Sequence, residues 1–338
     1  MISVEIYRDV AEQPDILEYM NNHDSLSVFQ SRFYLDLCQR TEGQEGMLLV
    51  CRKDKEITGL LLAQLQNNFG KSLRKLASRA LVIGGPVASS EDAESGNALI
   101  KSYIEFIKDK AVYTQIRCLF QNSYADKLFE GNGYTRNDHL NYVIDLKKGE
   151  EECWKKLHSK RRNEVRKAVK EGITFSEIDY KNESVDAYNV LKKIYGRAKL
   201  PLPGYEYFST ALEIMGNDGI FRIFGGYYEG KLVGVMYVLC FKGIVYDWYA
   251  GSYDEYLKKC PNDLITWEVI KWSILNNYSV FDFGGAGSPG KEYGVRDFKK
   301  KFGGDELNTG RYEIIHKPSV MKISKAGFRI WQKIQKVK

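Results

Sequence analysis

The feature that most constrains this chain is an internal echo between its two halves. Residues 47–66, MLLVCRKDKEITGLLLAQLQ, read as strand, polar turn, strand, with Lys55-Glu56 at the tip. Residues 221–241, FRIFGGYYEGKLVGVMYVLCF, read the same way around Gly230-Lys231. The first hairpin leads into IGGPVA and the second into YAGS, and a helical segment follows each. One helix places Leu99, Tyr103, Phe106 and Ile107 on a single face; the other does so with Leu264, Trp267, Ile270 and Ile274. The segments YTQIRCLFQNS (113–123) and YSVFDFGGAGS (278–288) are strands leaving those helices, about 165 residues apart. Each is followed by a glycine corner and a last strand, Tyr142 to Ile144 in one half and Tyr312 to Ile315 in the other. That spacing is far too long for a solenoid and suits two tandem domains of one fold. The fold class is α+β, each domain a central mixed sheet flanked by helices, with boundaries at 1–150 and 151–317.

With 43% hydrophobic and 28% charged residues, the composition belongs to core-forming globular chains and excludes intrinsic disorder. The net charge of +6 suits an anionic substrate or a transient nucleic-acid encounter, and gives no sign of stable DNA binding. No basic region followed by an apolar run opens the chain, and no apolar stretch reaches membrane-spanning length. The six cysteines are scattered without a close pair, which reads as the reduced thiols of a cytoplasmic protein. The four histidines are equally dispersed, so no metal site is predicted.

Between the halves runs a basic helix over 154–172, WKKLHSKRRNEVRKAVKEG. Trp154, Leu157, Arg161, Val165 and Ala168 or Val169 follow helical spacing; Leu157, Val165 and Val169 can face a core while Lys156, Lys160, Arg162, Arg166, Lys167 and Lys170 face outward. A second amphipathic helix follows Pro318. Faces of this kind can contact tRNA phosphates or an anionic membrane surface, and are more often plain solvated helix faces.

Three segments carry a pattern that resembles the Fem-type peptidyltransferases and their acetyltransferase-like relatives in the GNAT (acyl-CoA N-acyltransferase) superfamily. They are FDFGGAGSPGKEYGVRDFKKKFGGD (281–305), the basic helix, and GYYEGKLVGVMYVLCFKGIVYDWYAGS (226–252). VFQSRFYLDL (28–37) and IGGPV (83–87) are similar to the same family. The resemblance implies two tandem GNAT-like domains with a cleft between them, the helix 318–338 completing the first. It implies transfer of an aminoacyl or acyl group to a primary amine, with aminoacyl-tRNA or acyl-CoA as co-substrate and no tightly bound cofactor. In the peptidoglycan branch the amine belongs to a cell-wall precursor. Two features depart from some members: 172–221 holds no long helical arm, and 33–38 holds no lysine to grip a diphosphate.

Acyl transfer to an amine needs a neutral amine, a polarised carbonyl and a proton route. Lys299, in Phe-Lys-x-x-Phe-Gly-Gly, matches the position of the family's functional lysine and can stabilise an oxyanion or departing oxygen. Otherwise it joins Lys300 and Lys301 in a solvated basic face. Asp282 either orients the amine and accepts a proton, or caps the following glycine loop. Gly284 and Gly285 allow close backbone approach, and Phe298 adjoins the lysine on the substrate side. In the proline-rich loop 196–208, Arg197 or Lys199 can grip a phosphate or carboxylate. Tyr246 and Trp248 alternate with Asp247 and Tyr249, one pair facing substrate and the other the core. The usual Arg/Gln-x-x-Gly-x-Gly acyl-CoA loop is not found. An acyl-CoA-dependent N-acetyltransferase acting on a sugar or small amine remains the second reading, and a non-catalytic binding module the third.

Overall fold

The computed structural model describes residues 1–67, 78–88, 92–120 and 123–323. In chain order the first part holds β1 (Ile2–Tyr7), α1 (Pro14–Asn22), α2 (Arg32–Arg40), β2 (Gln44–Lys53), β3 (Glu56–Gln66), β4 (Arg79–Ile83), β5 (Val87–Ala88), α3 (Ala93–Ile107), β6 (Tyr113–Arg117), α4 (Ser123–Gly131) and β7 (Thr135–Asn137). Then come β8 (Leu140–Asp145), α5 (Gly149–Lys156), α6 (Ser159–Lys170), β9 (Ile173–Glu177), α7 (Tyr180–Arg197), α8 (Tyr205–Met215), β10 (Phe221–Tyr228), β11 (Lys231–Phe241), β12 (Ile244–Ser252), α9 (Pro261–Leu275), β13 (Val280–Gly285), α10 (Gly294–Lys300), β14 (Asp305–Asn308) and β15 (Arg311–Ile315).

Two compact units result, one from 1–138 with 309–338, the other from 139–308. The first sheet runs β1-β2-β3-β4-β6-β15-β7, with β5 beside β3; the second runs β9-β10-β11-β12-β13-β8-β14. Each has one parallel pair, β4 with β6 and β12 with β13, so both are mixed as expected. Position for position the sheets correspond, apart from one exchange. The expected last strand of the first half, β8, sits in the second sheet, and β15 sits in the first. The boundaries at 150 and 317 therefore move to 138 and 309. Alternation along a strand reports which face is buried and nothing about which sheet edge receives it.

The hairpins form where the alternation predicts. Their tips are one residue earlier, Asp54-Lys55 and Glu229-Gly230, all with positive φ. Both turns thus have the backbone that matches strand twist in two-residue hairpins. In the first unit Leu99, Tyr103 and Ile107 of α3 are fully buried against Leu49, Leu61 and Ile116. Phe106 is only partly covered.

In the second unit α9 is sequestered on most of its surface, with Leu264, Ile265, Trp267, Val269 and Ile270 all buried. Each such side chain contributes about 1.5–3 kcal/mol of transfer free energy. The single basic helix expected over 154–172 is two. α5 ends at Lys156, and His158 caps α6 by accepting from the Lys160 N–H at 3.2 Å. Val169 is exposed and Ala168 buried in its place. Arg161 turns inward, pairing with Asp263 and, at 2.7 Å, with Glu164. The helix expected after Pro318 lies largely outside the described residues, so its packing on the first domain is not described. Among the described residues no helix is long and apolar enough to cross a membrane.

Candidate active site

Strands β12 and β13 make the site because their pairing is brief. They are in register only from Ile244/Val280 to Tyr246/Asp282, after which β12 runs on to Ser252 and β13 ends at Gly285. A bulge on β12 adds to the separation: Asp247 faces Val238 and Tyr249 faces Tyr237, leaving Trp248 as the extra residue. Bulges re-aim side chains next to active sites. Here the bulge breaks the expected two-face alternation, so Tyr246, Asp247, Trp248 and Tyr249 all line one cavity of about 560 Å³. Neither pair is pure core.

The same cavity is lined by Lys299, Phe298, Arg197, Gly284 and Gly285. Eight of the residues singled out in the sequence therefore meet at one place, and Asp282 lies directly behind it, 1% exposed. Every lining residue belongs to the second unit. The cavity is thus built from one domain's residues, whereas the resemblance led to a cleft between two.

Lys299 lies on α10; there the Phe298 ring packs tilted against Phe302, just past the helix, with centroids 5.0 Å apart, and Phe302 meets Phe283 at 5.7 Å. This packing sends Lys299 toward the end of β13. Its ammonium donates to the Phe283 carbonyl and, at 3.1 Å, to the Gly285 carbonyl. Burial lowers its pKa below that of an ordinary lysine, against the pull of Asp247 and Asp282. Lys300 is exposed, so the run of three lysines is not one solvated face.

Asp282 does what a loop cap does. Its carboxylate accepts from the Gly284 N–H at 2.7 Å and from Asn141 Nδ2 at 2.9 Å. Gly284 has φ +67°, and a Cβ there would sit 2.9 Å from Tyr246 Oη, so the turn requires glycine. Burial pushes the Asp282 carboxyl up to about 6, despite these bonds and Lys299. Asp282→Ala should cost about 2–4 kcal/mol, because two buried donors lose their acceptor; urea unfolding of the full chain measures it. The wild-type carboxyl binds its proton more tightly folded than unfolded. Its contribution to stability is therefore present below pH 3.8 and lost as pH rises through about 6. That slope should vanish in the variant.

Arg197 pairs with Asp254 where α7 ends, both side chains about half exposed. An exposed pair is worth little and can open for a competing anion. Lys199 sits outside the cavity lining, on positive φ in the proline-rich loop. Trp248 is anchored from below by Tyr207, Phe208 and Phe221, with centroids 5.4–5.7 Å away. Sequence reasoning left Asp247 in an unassigned pair with Tyr249 and gave it no chemical role; burial pushes its carboxyl up to about 6 while Lys299 pulls it down. The same reasoning missed Asn141, which comes from β8 and carries no local signal. For Asp247 the only clue was an acid set among aromatics in VYDWYAGS.

Residues 155–300 match the family model for an acetyltransferase (GNAT) domain. No curated protein matches the chain. Among solved structures it is similar to FemX, at TM-score 0.73 and 16% identity over 95% of this chain and 100% of that one. A tandem GNAT protein from the clavulanic acid biosynthesis pathway gives 0.64 and 10% over 94% and 99%. L-PGS from Bacillus licheniformis gives 0.54 and 16% over 79% and 85%. Residues 155–300 thus match the acetyltransferase (GNAT) domain family, and the chain as a whole has the two-sheet fold seen in FemX and in a tandem GNAT protein.

Proposed function

We propose that this protein transfers an aminoacyl group from aminoacyl-tRNA to the primary amine of a cell-wall precursor or related small molecule. The observation that carries the reading is the placement of Lys299. Two of its three N–H donors are committed to the Phe283 and Gly285 carbonyls, which fixes the ammonium on the cavity wall with one donor left. That donor and its charge suit the carbonyl oxygen as it becomes an oxyanion, or the oxygen that departs. Phe298, Tyr246, Trp248 and Tyr249 supply walls for the substrate. Gly284 and Gly285 let it approach the backbone, and Asp282 holds that turn in shape. Arg197 can exchange Asp254 for an anionic group at the rim.

A tRNA donor fits the exposed Lys160, Arg166, Lys167 and Lys170 of α6, which also suit peripheral contact with an anionic membrane. A cytoplasmic setting fits six free cysteines, four of them buried. The GNAT match favours a second reading, acyl-CoA-dependent N-acylation of a sugar or small amine.

The full-length protein should be given labelled aminoacyl-tRNA or a panel of acyl-CoAs with a nucleotide-linked muropeptide, glucosamine and simple amines. Transfer that depends on aminoacyl-tRNA supports the proposal. Transfer from acyl-CoA alone selects the second reading, and turnover with neither donor sinks both.

A further inference from the structure

The mechanism so far provides for the carbonyl and leaves the amine without a seat or a base. Asp247 lines the cavity from the bulged strand, and Tyr195 of α7, Tyr249 of β12 and Tyr293 ahead of α10 line the same cavity. The Tyr195 and Tyr249 rings lie 5.7 Å apart, and the Tyr195 hydroxyl is within electrostatic reach of Asp247, Tyr249 and Tyr293. Aromatic faces around a carboxylate are a receptor for an alkylammonium.

The charges agree. Facing Asp247 are Lys299 from α10 and Asp282 from β13, and the rim adds Arg197 with its partner Asp254. Two cations against three carboxylates leave one negative charge for a bound cation to neutralise. Asp282 is already committed to Gly284 and Asn141 in the wall, whereas Asp247 lies on the cavity surface.

Resting on the transferase reading above, we infer that Asp247, walled by Tyr195, Tyr249 and Tyr293, seats the acceptor's ammonium and is the base that takes its proton. The acceptor R–NH3⁺ gives one proton to the Asp247 carboxylate and becomes a neutral amine. Its lone pair forms the new N–C bond at the acyl carbon, and the oxyanion is held by Lys299. Collapse breaks the bond from carbon to the donor's oxygen, which leaves with the electron pair and takes the second proton from nitrogen. Asp247 then releases its proton to solvent. Burial that places this carboxyl at about 6 suits a base working near neutrality.

Asp247→Asn in the full chain keeps the side chain's shape and removes its charge. With Nα-acetyl-lysine as acceptor, kcat/KM should fall by about 100-fold or more. With hydroxylamine, whose nitrogen is already neutral at pH 7, transfer should be little changed, which also reports an intact fold. For wild type the lysine rate should rise through pH about 6, and for the variant that limb should be gone. Equal losses with both acceptors, or none with the lysine, overturn the assignment while wild-type transfer leaves the transferase reading standing. If wild type acylates neither acceptor, that reading fails on its own. Calorimetric titration with Nα-acetyl-lysine then decides the seat: binding at least tenfold weaker in Asp247→Asn sustains it, and no difference removes it.

Discussion

Lys299→Met should lower kcat for acyl transfer by about 100- to 1000-fold, the range seen when a single oxyanion donor is removed. Methionine follows nearly the same path with a chain of similar length, so the Phe298 and Phe302 packing that orients α10 stays in place. What is lost is the ammonium and its two bonds to the Phe283 and Gly285 carbonyls. Those carbonyls lose a partner, costing about 1–3 kcal/mol; relief from burying a charge offsets part of this. The loss should therefore appear in kcat with far-ultraviolet dichroism unchanged. Full activity in the variant would remove Lys299 from the chemistry.

The largest structural effect should come from Gly303→Ala. This residue follows Phe302 with φ +81°, and a Cβ would lie 2.4 Å from the Lys156 carbonyl oxygen and 2.7 Å from its carbon. The left-handed backbone alone costs alanine about 1–2 kcal/mol, and the contact is with backbone that cannot rotate away. A total loss above about 3 kcal/mol is expected from urea unfolding. Gly230 is the matched control, with φ +75° and nothing within 4 Å of its Cβ. Gly230→Ala should show the backbone cost without the collision. Equal losses at the two sites would mean that α5 moves easily.

These contrasts show which parts of the site could be read in one dimension. The Phe-Gly-Gly of 302–304 reads as a motif, and its physical reason is how closely α5 and β8 pass: a Cβ on Gly304 would meet the Val143 carbonyl at 2.7 Å. Lys299 and Asp282 could be chosen because each sits in a local pattern that carries meaning. Asp247 could not, because alternation placed it opposite Tyr246 and Trp248, and one unpaired residue at Trp248 undoes the alternation. Asn141 belongs to a strand whose neighbour β13 is about 140 residues distant in sequence. The duplicated hairpins and helices were legible since periods of 2 and 3.6 are local properties. The break at Leu157 and His158 was not, since the apolar spacing runs through it while the His158 ring takes over the cap.

The exchange of β8 and β15 governs how the chain must be assembled during synthesis. The first sheet lacks β15 until residue 315 is made, and β7 has no other partner described. At ordinary elongation rates the edge of β6 waits roughly 10–40 s for the strand that covers it. Meanwhile β8 has left the ribosome long before β13 and β14, the neighbours it joins in the second sheet. Neither unit can finish early, so the two units are tied to a common completion point, the synthesis of β14 and β15 over residues 305–315, and a chain interrupted before it would carry open strand edges in both.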